Sequence, residues 1–447
     1  MKLLLINPPN LEEDEILSTQ IYSIGLLTLY NVAKTNNYDV DLVNIQSVED
    51  LRNLNLHSYC LVGIPCYTRQ RYSVFKTIDF IKNKSPLTKI VVGGPHVLGI
   101  EEKILRFYKN CDFVISREGE IPLVHLLECI KLKMDDFSSV PNLTWRNSNF
   151  IVSNNISFNE KLLEIPFPHY HQKYFEDYAH YARGGIYFEN ADKICGMSFS
   201  RGCNNSCIFC ANQAFFGKQR FFPLLYVKNL IQQVYKKQNV STFQFVDDDF
   251  CSDRQRVFEL CNWIIKENIN IQWRCSTRAN NIDAIIVKKM IAAGCKMISI
   301  GMESGSQKVL DSIGKNYQVA EVAHNLQEIN KLDIEIRLSL TFGYDVEDNN
   351  SYEETIDLIN QAKPNAVAFF FLKVYPGTPL YKIALKSGYI TDDFWFENEK
   401  SVPFFEMYMK YTDFKGVKKN ILSKIGAEVL SDYNEDRDDS EYYLNWK

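Results

Sequence analysis

Cys203, Cys207 and Cys210 are the residues of this chain best suited to chemistry, in the stretch Ser-Phe-Ser-Arg-Gly-Cys-Asn-Asn-Ser-Cys-Ile-Phe-Cys-Ala-Asn. Their C-x3-C-x2-C spacing follows an apolar, strand-like run. Thiolates at this separation can hold one iron–sulfur cube by three corners. A [4Fe–4S] cube then keeps one iron open, and an open position separates a reactive metal site from a closed structural one. Structural zinc usually shows paired C-x2-C or Cys/His groups, and no second CxxC and no HxxxH follows here.

The elements around these cysteines form the second of two α/β alternations. Strand-like runs at 193–200, 242–246, 271–276, 296–301, 334–342 and 366–375 alternate with helical stretches such as 254–266 and 285–293. Six such units predict a partial (β/α)6 barrel over 190–390, with reactive groups on the loops after the strands. The cysteines fall in the loop after the first strand. The earlier alternation has strand-like runs at 2–7, 38–45, 60–66, 89–94 and 111–116, with helices such as 24–34 and 71–82 between them. It predicts a flavodoxin-like, doubly wound domain over 1–140, binding its ligand beyond the carboxyl ends of the strands. Residues 141–189 read as a small hairpin and a linker. Residues 391–447 read as a helical cap and an acidic tail, in which Trp395, Phe404 and Phe405 are aromatics whose commoner fate is core packing.

Bulk composition narrows the partners. The 447 residues suffice for more than one core. Charge is nearly balanced, 50 basic against 55 acidic residues, so no nucleic-acid partner is expected. No apolar run reaches the roughly 18 residues of a membrane helix. The apolar start ends at Pro8-Pro9 and reads as a first strand rather than a signal peptide, which predicts a cytoplasmic chain. Of the twelve cysteines, Cys60, Cys66, Cys195, Cys275 and Cys295 sit in or beside apolar strand-like runs and read as buried free thiols, and a disulfide framework is not expected.

Three further segments stand in order behind the cysteine loop: Phe245-Val246-Asp247-Asp248-Asp249-Phe250, Gly301-Met302-Glu303-Ser304-Gly305 and Tyr375-Pro376-Gly377-Thr378-Pro379-Leu380-Tyr381. With Phe209 just before the last cysteine, this combination resembles the radical S-adenosylmethionine superfamily over about 190–390. The resemblance implies a [4Fe–4S] cluster on the three cysteines whose open iron chelates S-adenosylmethionine. One electron then cleaves a carbon–sulfur bond, and the 5′-deoxyadenosyl radical abstracts hydrogen from an unactivated carbon. It places Phe209 near the adenine and makes Glu303, beside Ser304, an acceptor for ribose hydroxyls. Arg278, Ser339 and Thr341, at strand ends, are candidates for the carboxylate or ribose, or else an ordinary arginine and core-edge hydroxyls.

In the first domain, Gly93-Gly94-Pro95-His96 ends a strand, and Arg117-Glu118-Gly119-Glu120 stands in the matching loop one unit later. With Val62-Gly63-Ile64-Pro65 and Asn7-Pro8-Pro9 they resemble the cobalamin-binding domain that precedes many radical enzymes. That implies cobalamin held near Gly63, Thr68, Gly93, Gly94, His96, Glu118, Gly119 and Glu120. No D-x-H-x-x-G motif is present, so cobalt is expected without a protein imidazole, with His96 bonded locally. The plain alternative is a flavodoxin-like module whose glycines serve a turn; a dinucleotide fingerprint is absent.

Three functions follow. The first is a cobalamin-dependent radical methyltransferase acting on an unactivated carbon of a small molecule or peptide, fed electrons by a flavodoxin or ferredoxin. The second is a radical enzyme performing cyclisation, dehydration, rearrangement or epimerisation. The third is a zinc- or cluster-holding binding protein.

Overall fold

A computed structural model describes residues 1–9, 23–181, 188, 191–391, 393–397, 414–433 and 440–446. Phe404, Phe405 and the acidic stretch 434–439 lie outside the described residues.

The first sheet contains β1 (Lys2–Asn7), β2 (Asp39–Asn44), β3 (Leu61–Pro65), β4 (Lys89–Gly93), β5 (Phe113–Ile115), β6 (Leu143–Asn147) and β7 (Phe150–Ser153). Its order is β2-β1-β3-β4-β5-β6-β7, and the first five strands are parallel. This is the flavodoxin-like arrangement. The hairpin expected after residue 140 is present, but it extends this sheet, β6 pairing antiparallel with β5. Alternation along β1 divides two cores. Leu3 and Leu5 face the helices Ile24–Thr35 and Glu120–Lys131. Leu4 and Ile6 join the side of the helix Arg71–Lys84, in a core that continues into the second sheet. Covering both faces explains why β1 is apolar without interruption.

The second sheet is built from β8 (Cys195–Met197), β11 (Thr242–Phe245), β12 (Gln272–Arg278), β13 (Cys295–Glu303), β14 (Glu335–Phe342) and β15 (Ala366–Phe371). All six are parallel and neighbours in chain order, the open barrel that the alternation predicts. A separate pair, β9 (Ser200–Arg201) and β10 (Arg220–Phe221), is antiparallel.

The expected C-terminal helical part is present, and a pair of strands that the sequence did not suggest follows it. A helix, Phe414–Lys424, is followed by β16 (Ala427–Tyr433) and β17 (Ser440–Trp446), an antiparallel hairpin added to β15. The physical reason is twofold. β15 would otherwise leave a row of unpaired backbone groups. In β17, Tyr442 and Leu444 are buried at period 2, with Tyr442 against Phe369 at 5.5 Å between rings. Trp446 anchors the end, its Nε1 donating to the Pro364 carbonyl at 2.7 Å.

The carboxyl ends of the two sheets meet. Gly377, after β15, has φ +76°, and a Cβ there would stand 2.5 Å from Leu98 Cγ in the loop after β4. Only a glycine allows this backbone to close on the first domain.

Candidate cluster and cofactor site

Backbone pairing closes the cysteine loop at its base. Arg201 of β9 stands opposite Arg220 of β10, so residues 202–219 form a closed excursion. Asp247, after β11, fixes the entry. Its carboxylate accepts from the Phe199 amide at 2.9 Å and the Ser200 hydroxyl at 2.6 Å, and also from the Ser200 amide. Two backbone bonds clamp the middle: the Ile208 amide donates to the Ile313 carbonyl at 3.2 Å, and the Leu380 amide to the Ile208 carbonyl at 2.9 Å.

Each of the three sulfurs faces a nitrogen donor. Asn205 Nδ2 lies 3.1 Å from Cys203 Sγ, the Asn212 amide 3.4 Å from Cys210 Sγ, and Arg278 Nη1 3.2 Å from Cys207 Sγ. Such donors suit sulfurs that carry negative charge in a bound cluster. Burial pushes the Cys203 thiol up, and the Cys210 thiol up to about 12. Metal coordination removes those protons outright. Three thiols on one closed loop, each beside a nitrogen donor, fit a cluster held by three corners.

Glu303 sits 38 residues before Thr341 and receives its hydroxyl hydrogen bond at 2.7 Å. Lys315 Nζ stands 3.0 Å from its other oxygen and also donates to the Gly301 carbonyl at 2.8 Å. The Glu303 backbone has φ +70°, beside an irregularity where β13 shifts register against β14. A strained non-glycine of this kind persists only where its surroundings over-determine it. Ser339 is half-buried on β14, two residues before Thr341 and on the same face. Phe209 is half-buried, its ring 6.1 Å from Tyr344. Arg278 is turned to Cys207 and donates from Nη2 to the Lys315 carbonyl. Ser304 does not join this group. It is buried against the helix Asn349–Ala362, 3.3 Å from the Thr355 hydroxyl, and accepts from the Ser306 amide. Lys315 and Asp247 had no assigned role in the sequence reading. Lys315 belongs to no motif, and Asp247 stood out only as part of an acidic turn.

The acidic turn itself divides by environment. Asp249 is buried and accepts from the Thr277 hydroxyl, the Arg278 amide and Asn281 Nδ2. Asp248 is exposed by accessible surface, but neighbouring protein still desolvates its carboxyl. That desolvation pushes its carboxyl up to about 6 against a hydrogen bond with Asn212.

In the first domain, Thr68, Gly93, Gly94 and His96 come together at the ends of β3 and β4. The Cys66 amide donates to the Gly93 carbonyl at 2.6 Å, and His96 Nδ1 lies 3.3 Å from the Thr68 hydroxyl. Burial, and then Arg71 beside it, hold the His96 pKa down at about 3, so the imidazole is neutral. Trp395 stacks edge-on against His96 at 5.2 Å with the Arg71 guanidinium over its ring, so it packs in the core. The other residues of the first-domain reading have protein contacts of their own. Gly63 lies inside β3, where a Cβ would meet Leu5 Cδ2 at 2.9 Å, so it serves packing. Glu118 and Glu120 are engaged by arginines of the second sheet region, Arg201 and Arg220. Gly119 between them packs on Leu29.

A flavodoxin-like sheet facing an open six-stranded barrel with a three-cysteine loop defines a two-domain metalloenzyme built for an open-coordinate cluster. Residues 197–359 match the family profile of the Radical SAM superfamily, and residues 17–127 that of the B12 binding domain. The chain is 24% identical over 409 residues to an uncharacterised methyltransferase of Pyrococcus horikoshii, covering 88% of this chain and 85% of that one. It is 23% identical over 330 residues to the anaerobic magnesium-protoporphyrin IX monomethyl ester cyclase of Cereibacter sphaeroides, covering 72% of this chain and 52% of the cyclase. The solved structure of the radical S-adenosylmethionine methyltransferase TsrM from Kitasatospora setae superposes with a TM-score of 0.71 at 16% identity, covering 87% of this chain and 77% of that one. At that identity the likeness shows the fold. The chain belongs to the radical S-adenosylmethionine enzymes that carry a cobalamin-binding domain. Its cofactors are a [4Fe–4S] cluster, S-adenosylmethionine and cobalamin, and the reaction class requires a reductant and a substrate. Among the described residues no helix is long and apolar enough to cross a membrane.

Proposed function

We propose that the chain is a cobalamin-dependent radical methyltransferase acting on an unactivated carbon. The observation that carries this reading is the meeting of the two sets of strand ends, through Gly377 on Leu98 and Glu118 on Arg201. It sets the cysteine loop opposite the loops of the B12-type sheet. When bound, the cluster and S-adenosylmethionine supply hydrogen abstraction, and cobalamin supplies the methyl group. The chain's own residues bind and orient. Cys203, Cys207 and Cys210 hold the cluster, and Glu303, paired with Lys315, accepts from ribose hydroxyls. Phe209 lines the adenine end, with Ser339 and Thr341 on the strand beside it. Gly93, Gly94 and Thr68 present backbone and hydroxyl to the corrin. His96, buried beside Thr68 and Trp395, would be bonded locally and would not ligate cobalt. The methyltransferase names of the Pyrococcus and Kitasatospora proteins support the reading. A flavodoxin or ferredoxin as electron donor, a small-molecule or peptide substrate and a cytoplasmic setting complete it.

The likeness to the Cereibacter cyclase favours one other reading, a radical enzyme that cyclises without methyl transfer. The two separate by product. Anaerobically reconstituted protein is incubated with S-adenosylmethionine, a chemical reductant and a metabolite extract. Methyl transfer yields S-adenosylhomocysteine and 5′-deoxyadenosine together, with a methylated product. Finding 5′-deoxyadenosine and an unmethylated product would overturn it. Alanine at Cys203, Cys207 or Cys210 abolishes both products; any such variant with full activity would refute the ligand assignment.

A further inference from the structure

Four charged side chains from three segments converge beside the cysteine loop. Glu118 receives Arg201 Nη1 on one oxygen and Arg220 Nη1 on the other, each at 2.9 Å. Glu120 receives Arg201 Nη2 at 2.8 Å. The carboxylates are 4% and 8% exposed and the arginines 12% and 15%, so water screens the group little. Two carboxylates and two guanidiniums balance in charge. The arginines are the paired residues of β9 and β10, at the base of the cysteine loop, and Cys203 is two residues beyond Arg201. Arg220 also donates to the carbonyls of Asn159 and Phe216, and Arg201 lies over the Phe222 ring at 5.6 Å. A surface ion pair would contribute little here. A buried bridge in which Arg201 spans two carboxylates and Glu118 takes an arginine on each oxygen fixes geometry between two domains.

We propose that Glu118 and Glu120 are positioning residues of the radical chemistry, holding the base of the cysteine loop in register with the B12-type domain through Arg201 and Arg220. This rests on the reading above. The lock contains no cluster ligand, so its loss leaves the three thiols in place. It acts on where the cluster stands relative to the corrin.

The test compares Glu118→Gln, Glu118→Asp and Glu118→Gln/Glu120→Gln with wild type, each reconstituted with iron, sulfide and hydroxocobalamin. Iron content and thermal unfolding report folding and loading. The informative readouts are the EPR spectrum of the reduced cluster with S-adenosylmethionine and the ratio of S-adenosylhomocysteine to 5′-deoxyadenosine. The double variant loads iron, shows an altered spectrum and shifts the ratio by about tenfold or more, within the roughly 100-fold rate cost that a ~1 Å misplacement can carry. Glu118→Asp, which keeps the charge, restores part of both. If the double variant fails to fold, Glu118→Asp and Arg220→Lys carry the same comparison. Variants that match an active wild type in spectrum and ratio would overturn the lock alone. A wild type that takes up cluster and cobalamin yet cleaves no S-adenosylmethionine would instead overturn the functional reading.

Discussion

Arg278 Nη1 stands 3.2 Å from Cys207 Sγ, while Nη2 of the same guanidinium donates to the Lys315 carbonyl. One planar side chain thus ties a cysteine of the three-cysteine loop to the lysine that pairs with Glu303. Hydrogen bonds to ligand sulfur and nearby positive charge both favour the reduced, more negative cluster. Arg278→Met removes both. The cluster potential should fall by on the order of 50 mV, close to the 59 mV of a tenfold one-electron shift. An EPR-monitored redox titration checks it; an unchanged midpoint would show that the contact does not survive cluster assembly.

Glu303 and Lys315 form a buried pair, so removing one partner strands a charge, at a cost of about 3–5 kcal/mol. Lys315→Met should lower thermal stability. The double variant Glu303→Gln/Lys315→Met should regain most of that stability and still bind S-adenosylmethionine poorly. Calorimetric unfolding together with isothermal titration of S-adenosylmethionine separates the two effects.

Gly94 has φ +104°, and a Cβ there would lie 2.9 Å from the Cys66 carbonyl oxygen and 3.1 Å from its amide nitrogen. Both neighbours are backbone, so neither yields cheaply. Gly94→Ala should destabilise the first domain by about 1–3 kcal/mol through strain. It should also reduce cobalamin uptake, read from the visible spectrum, while iron content stays near that of wild type.

Burial, the largest cause, pushes the Asp247 carboxyl up to about 7, against hydrogen bonds from Ser200 and Phe199. In an unfolded chain an aspartate titrates near ~3.9. The folded state therefore holds this proton more tightly. The stability it contributes is full below about pH 4 and is lost as pH rises through about 7. Asp247→Asn has no such proton. The difference in melting temperature, wild type minus variant, should fall between about pH 5 and pH 8; a rising difference would show that the amide and hydroxyl donors dominate.

The cysteine spacing, the two strand–helix alternations and the glycine pair after β4 were legible in the chain because each is a local pattern. Ligand spacing, strand periodicity and turn chemistry are set within a few residues. His96 is a case in between: its lack of a ligand motif predicted a local role, and its neutral, buried state against Trp395 supplies the reason. The C-terminal hairpin was not legible because the open edge of β15 decides its fate, and an edge is a property of the assembled sheet.

The amino-acid order by itself determined the three thiols, the two α/β units and the glutamate that ends β13. Tertiary structure alone decided which charges meet. Glu118 is 83 residues from Arg201 and 102 from Arg220, and the sequence offered those carboxylates as ligand contacts. Lys315 likewise reached Glu303 only through the packing that follows β13. The reason is energetic. A buried charge is costly until a partner meets it, and which partner does so depends on how the strand ends are brought together, not on any spacing along the chain.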